Sequence, residues 1–159
     1  MDCCAVAAAD RQIQHLIHRY AELLDAGDLD GVGKLFEHAR YGAGDGPLVM
    51  TGEQVAEVNK SLVILYEDGT PRTKHVTSNL ILEVDEEAGT AASRSYFTVL
   101  QQVGDGPLQP IVAGRYHDRF ERVAGAWRFS ERRIFVDLAG DLSRHLRSVP
   151  GQTKDRPPS

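Results

Sequence analysis

The sequence predicts an α+β fold in which helices come first and a long antiparallel sheet follows. Two observations carry this. Up to about residue 65 the apolar positions recur at helical spacing, and after Pro71 the period changes to the alternation of strands. The strand patterns are long and joined by short turns, so they read as one meander and not as βαβ units. A meander of that length must curl or cover one face. Packing the early helices into its concavity leaves a pocket between the first helix and the sheet.

The first helix is expected from Asp10, a candidate N-cap, with Ile13, Leu16, Ile17, Tyr20, Leu23 and Leu24 as its apolar stripe and Gly27 just past its end. Residues 1–9 read as frayed or as a loose helical lead-in. Asp28 is expected to cap a short second helix whose inner face is Leu29, Val32, Leu35 and Phe36. Ala39–Ala43 reads as a short strand carrying Tyr41, Gly44-Asp45-Gly46-Pro47 as a turn, and Leu48–Thr51 as a partner strand. A third helix is expected over Gly52–Leu65. Four strands follow, at Thr73–Asp85, Thr90–Val103, Ile111–Val123 and Trp127–Asp137, with a second Gly-Asp-Gly-Pro at 104–107 and a tight hairpin at Gly125. On the first of them, strict alternation puts Val76, Leu80, Leu82 and Val84 on one face and His75, Thr77, Asn79 and Ile81 on the other. Leu138–Val149 is expected as a short terminal helix, and residues 150–159 as a disordered tail beyond a single domain over 10–149.

At 159 residues with a formal net charge of -5, the chain is long enough for one core and one small-molecule pocket. Its charge argues against a nucleic-acid partner. The late arginines (Arg115, Arg119, Arg122, Arg128, Arg132 and Arg133) are interleaved with acids and read as a solvated strand face. No apolar run approaches membrane-spanning length, and the N-terminus lacks a basic region followed by an apolar one. Cys3 and Cys4 are adjacent, which suits neither a disulfide framework nor a zinc site. These features point to a soluble, cytoplasmic protein.

The chemistry centres on Asp25. It falls in the last turn of the first helix, at the border of the stripe, where the helix dipole is negative and disfavours an uncompensated acid. His75 is a natural partner for it. Paired, the carboxylate would orient the imidazole and strengthen it as a general base, with Tyr20 one turn earlier able to hold a carbonyl or donate a proton. Thr77 and Asn79 beside His75 suit a pocket wall better than a packed core. Taken singly, His75 also fits a partly exposed strand histidine, Asp25 an ordinary helix-end residue, and Tyr20 or Tyr41 a core aromatic. His15 and His18 lie on the polar side of the helix without acidic or cysteine partners at metal spacing, so no metal site is expected. His117 alternates with Arg115 and Arg119, opposite Tyr116, and is expected on the outer face or at an interface. No nucleophile elbow, P-loop or dinucleotide fingerprint occurs.

Four stretches resemble the SnoaL-like branch of the nuclear transport factor 2-like superfamily. They are Arg19-Tyr20-Ala21-Glu22-Leu23-Leu24-Asp25-Ala26-Gly27-Asp28, His75-Val76-Thr77-Ser78-Asn79, Gly114 through Arg122, and Ala126-Trp127-Arg128-Phe129. The similarity spans roughly residues 10–137 in consistent order. It implies a cystatin-like roll: a cone of curved antiparallel sheet whose mouth is closed by helices over a deep pocket. Members include scytalone dehydratase, hexachlorocyclohexane dehydrochlorinase, bile acid 7-alpha-dehydratase, polyketide cyclases and ketosteroid isomerase relatives. Its dehydratases and dehydrochlorinases use an Asp–His dyad with no metal or organic cofactor. Carried over by position, Asp25 and His75 match that dyad and Tyr20 the polar position before the Asp. Tyr41 matches a further pocket aromatic, and Arg132, or Arg133 if a bulge shifts the phase, an arginine of the last strand. Where scytalone dehydratase has a second histidine this sequence has Ala113 or Gly114.

The expectation is therefore a cofactor-independent lyase-type enzyme acting on a small apolar or polycyclic substrate. His75, Asp25 and Tyr20 would be catalytic, with Tyr41, Asn79, Tyr116 and Arg132 binding substrate. An isomerase or polyketide cyclase using the same pocket is the alternative, as is a non-catalytic ligand-binding or assembly domain. A homodimer or homotrimer is expected from the long sheet.

Overall fold

Helix α1 spans Cys3–Asp25 in the computed structural model, which describes residues 3–148. The expected start at Asp10 is corrected: Asp10 lies well inside the helix, and its carboxylate accepts from the Gln14 side chain at 2.6 Å instead of capping. The run Ala5-Val6-Ala7-Ala8-Ala9 explains the earlier start, since alanine has the highest helix propensity and Ala9 is already buried in the core. The helix ends in a Schellman motif, with Asp28 N–H on the Leu23 carbonyl and Gly27 N–H on that of Leu24. Gly27 takes the left-handed conformation at φ 75°.

Asp28 then caps α2 (Leu29–Leu35), accepting from the Gly31 N–H as expected. Strand β1 is Arg40–Ala43. Helix α3 (Gly52–Leu62) opens with a reciprocal capping box between Thr51 and Gln54. It stops short of the expected Leu65 because Val63 turns extended and bridges to Leu146. The strand expected over Leu48–Thr51 reduces to one bridge, Tyr41 to Met50.

Four strands follow: β2 (Thr73–Asp85), β3 (Thr90–Gln101), β4 (Gln109–Val123) and β5 (Ala126–Ala139). With β1 they form one five-stranded sheet in the order β1-β5-β4-β3-β2, antiparallel throughout except that β1 joins β5 in parallel, with Tyr41 opposite Arg132. The mixed α+β architecture of helices and curved sheet is the one the sequence predicts.

One register fault matters for the site. Between Ser78 and Ile81 the β2–β3 ladder slips, and Asn79 sits in it with φ 51°. The bulge reverses the alternation, so His75 and Thr77 share their face with Leu80, Leu82 and Val84, while Val76 and Ile81 turn outward. The expectation that Asn79 flanks His75 on one face is therefore corrected.

The core lies between α1 and the inner sheet face. Ile13, Ile17, Leu23 and Leu24 meet Phe36, Phe97, Phe120 and Phe129 there. The terminal helix expected over Leu138–Val149 is also corrected, for among the described residues none forms there. Leu138 and Ala139 continue the β5 ladder, and the chain then crosses back to α3. It is held there by Ile64 N–H on the His145 carbonyl and Arg147 N–H on the Leu62 carbonyl. The Arg147 guanidinium caps the carbonyls of Lys60, Ser61 and Val63 at 3.0–3.2 Å, a cation at the negative end of α3. The tail expected over 150–159 lies outside the described residues. No helix is long and apolar enough to cross a membrane among the described residues.

Candidate active site

The Schellman end of α1 and the start of β2 meet at one carboxylate. Asp25 Oδ1 lies 2.6 Å from His75 Nδ1 and accepts from the Thr73 hydroxyl at 2.9 Å, while Oδ2 accepts from the His75 backbone N–H at 2.9 Å. Both side chains are nearly buried, His75 8% and Asp25 10% exposed. Three donors explain how an acid tolerates the negative end of a helix dipole. Burial pushes the Asp25 carboxyl up, but the hydrogen bonds and charge of His75, with the Thr73 hydroxyl, more than offset it and hold the group below its ordinary value.

The pairing also sets the tautomer. A carboxylate at Nδ1 takes the Nδ1–H, which leaves the Nε2 lone pair as the free base. A groove of ≈ 660 Å³ reaches the pair from outside, lined by Glu22, Lys74, Thr77 and the dyad itself.

The structure brings the other candidates together elsewhere. The Tyr20 hydroxyl lies 3.2 Å from that of Tyr41. The Arg132 guanidinium sits 4.3 Å from the Tyr20 ring centre and 4.1 Å from that of Tyr116, a stack of the cation–π type. Asp118 grips Arg132 with two bonds, Nε at 2.8 Å and Nη2 at 2.7 Å, in a pair with no exposed side-chain surface. Burial opposes the Arg132 charge, but Asp118 outweighs it and raises the pKa further. Burial and the neighbouring Tyr20 hold the Tyr41 and Tyr116 phenols well above their ordinary range, so both stay protonated. Arg132 Nη1 is buried without a hydrogen-bond partner.

Arg132 faces inward, whereas Arg133 reaches away to the carbonyls of Gly44 and Gly46 at the β1 turn. Asn79, by contrast, is exposed on the bulge and shares no face with His75. His117 is exposed with Arg119 on the outer face, as alternation from Tyr116 requires.

Two residues of the site escaped the sequence reading. Asp118 was legible, since alternation puts it with Tyr116 and Phe120 on the inner face, where an acid demands a partner. His145 carried no such signal. It comes from the irregular segment after β5, only 8% of it is exposed, and its ring centre is 6.3 Å from that of His75. Among the described residues, no group of three His, Cys, Asp or Glu could hold a metal ion.

Solved structures with this fold are numerous. A variant of Rv3472, a protein of unknown function from Mycobacterium tuberculosis, superposes with a TM-score of 0.65 at 24% identity over 86% of this chain and 76% of its own. A candidate scytalone dehydratase from Novosphingobium aromaticivorans gives 0.66 at 19% identity, covering 86% of this chain and 89% of that one. An NTF2-like protein with a cystatin-like fold from the same organism gives 0.64 at 21%, covering 90% and 94%. Identities this low establish the fold alone. A comparison with curated proteins found no match. The family model of the SnoaL-like domain matches residues 5–133, which take in both halves of the Asp25–His75 pair and the arginine cluster, and the chain belongs to that family.

Proposed function

We propose that the protein is a cofactor-independent lyase of the dehydratase type, acting on a small apolar or polycyclic substrate. The Asp25–His75 bond carries this reading. A histidine merely filling a strand position would not have its ring, its backbone N–H and the adjacent Thr73 hydroxyl all committed to one nearly buried carboxylate. The non-catalytic alternative calls for a solvent-facing His75, and this ring is 8% exposed.

His75 Nε2 takes a proton from carbon, the C–H electron pair forms the new double bond, and a hydroxyl on the neighbouring carbon departs. The imidazolium returns its proton to that hydroxyl, so the products are an alkene and water. Asp25 holds the ring and balances its transient charge. Tyr20 and Tyr41, whose hydroxyls lie 3.2 Å apart beside the positive Arg132, are the groups we assign to hold a substrate oxygen.

General-base catalysis contributes about 10²–10⁴ in rate. With 5-nitrobenzisoxazole, a chromogenic probe that opens on loss of one carbon-bound proton, Asp25→Asn and His75→Ala should each lower kcat/KM at least about a hundredfold. Near-normal turnover by either variant would remove the dyad from the mechanism.

A further inference from the structure

The dyad carboxylate stands between two openings. Besides the groove of ≈ 660 Å³ that holds His75, a second cavity of ≈ 290 Å³ lies at the start of β2, and Asp25, Thr70 and Lys74 line both. Both reach the same residues because β2 is an edge strand, open on the side away from β3. Arg72 fixes how the chain enters that strand. It takes the left-handed conformation at φ 59°, which a residue with a Cβ keeps only when its surroundings hold it. The Thr70 hydroxyl accepts the Arg72 N–H, and the Arg72 carbonyl accepts from the Gln102 N–H, each at 3.2 Å. Thr73 then turns inward to Asp25, and Lys74, the next residue, is exposed on the wall of both cavities.

The full charges lining these cavities cancel in pairs, with one exception. Arg19 meets Glu22 at 3.2 Å, Arg72 meets Asp68 at 3.1 Å, and Asp25 is held by His75 at 2.6 Å. The Lys74 ammonium has no hydrogen-bond or ion-pair partner among the described residues. An unpaired lysine is ordinary on a surface. This one is adjacent to the base of the dyad, in a chain whose net charge of -5 repels anions overall. It therefore makes the mouth of the site the place where an anion is locally favoured. One ammonium balances the single charge of a carboxylate. A phosphate, with nearly two charges, calls for further donors, and both arginines of the lining are already committed to acids.

We propose that Lys74 selects the substrate, and that the substrate carries a carboxylate on its apolar ring system. This rests on the lyase reading above and names the polar group its substrate bears. The ring lies in the groove with its acidic C–H at His75, and the carboxylate reaches Lys74 where the groove meets the second cavity. The carboxylate keeps its charge throughout the elimination, so Lys74 holds ground state and transition state alike and acts on KM and not on kcat.

The experiment titrates the wild type, Lys74→Gln, Lys74→Arg and Lys34→Gln by calorimetry at low salt with 2-naphthoate and with 2-naphthamide, its uncharged counterpart. The wild type and Lys74→Arg are expected to bind the acid about fivefold more tightly than the amide, the upper end for one exposed ion pair. Lys74→Gln should abolish that margin while keeping the affinity for the amide, which also shows that the variant is folded. Salt at about 1 M, where the screening length is about 3 Å, should shrink the margin in the wild type. Lys34→Gln changes the net charge equally from α2, outside both cavities, and should keep the margin. A wild type that binds neither compound or does not prefer the acid would overturn the role of Lys74, as would a margin that survives Lys74→Gln or falls as far in Lys34→Gln. Turnover of 5-nitrobenzisoxazole judges the lyase reading separately. An inactive His75→Ala beside a wild type without acid preference removes Lys74 and leaves the dyad standing. A fully active His75→Ala overturns the dyad reading itself, and with it Lys74 as a group that selects substrate.

Discussion

Replacing Arg132 by Met should destabilise the protein by about 3–5 kcal/mol, and replacing Asp118 by Leu at the same time should restore most of the loss. The magnitude follows from the geometry. Arg132 and Asp118 have no exposed side-chain surface and share two charged hydrogen bonds of 2.8 and 2.7 Å. Each such bond contributes about 1.5–3 kcal/mol. The larger effect is the charge left behind, because Asp118 alone would sit in a protein interior without a counterion, and removing one partner of a buried pair costs about 3–5 kcal/mol. Removing both takes the charge problem away. What remains is the lost contact of the guanidinium with the rings of Tyr20 and Tyr116, about 0.5–2 kcal/mol. Urea denaturation followed by circular dichroism measures both variants, and the single change should also lower Tm by about 6–20 °C at about 2–4 °C per kcal/mol. A loss below about 1 kcal/mol for Arg132→Met, or a double variant as unstable as the sum of its singles, would refute a tightly coupled buried pair. The double variant also separates two roles: if it folds well but loses turnover of the probe, Arg132 acts on substrate as well as on the fold.

Three other outcomes follow from particular contacts. The folded His145 holds its pKa near 4 against 6.5 for the free side chain, so as pH falls below 6.5 the unfolded chain binds a proton that the folded one refuses. Stability should drop over that window, by about 3 kcal/mol near pH 4 at about 1.4 kcal/mol per pH unit, and His145→Asn should lose less than the wild type does in a chemical denaturation series. Gly27→Ala should cost at least about 1 kcal/mol, because the residue is at φ 75° and a Cβ there would lie 2.1 Å from the Gly69 carbonyl oxygen; a neutral result in a thermal melt would show that the helix end can shift. The outer face of β2 and β3 exposes Val76, Ile81 and Tyr96, 45%, 47% and 52% accessible, and a homo-oligomer formed through it should dissociate on Tyr96→Glu, with light scattering reading the mass and an unchanged mass excluding that face.

The parts of this site that sequence made legible are those where one local rule decides the outcome. Asp25 stood out because it violates the dipole preference of a helix end, and Thr73–Asp85 because Pro71 and the alternation bound it sharply. Where two rules compete, simple alternation lost. At Ser78-Asn79-Leu80 the bulge moves Asn79 off the face of His75, although asparagine is among the residues that tolerate its φ of 51° and so carried a faint signal. The parallel pairing of β1 with β5 joins residues some ninety positions apart, and no period along the chain reports it. His145 is the extreme case. Its place depends on fastenings to α3, the α3–β2 loop and β3, all remote in sequence, and on a segment that has no period at all.

That contrast bears on how the site is assembled. The three donors to Asp25 all come from the first three residues of β2, so the acid is compensated only once α1 has closed over the sheet. Before closure it opposes the dipole of its own helix; afterwards it is a stabilising anchor, and the same bond that anchors the helix orients His75. On the proposed mechanism, catalytic geometry and helix docking are then one interaction. On this view Asp25→Asn, which keeps the shape but weakens the bonds, should loosen the docking of α1 as well as slow the reaction. Hydrogen exchange at the last turn of α1 and the first residues of β2 would show it, with faster exchange there and unchanged protection in β4. Unchanged protection at both ends of the bond, together with lost turnover, would mean that Asp25 serves the chemistry alone.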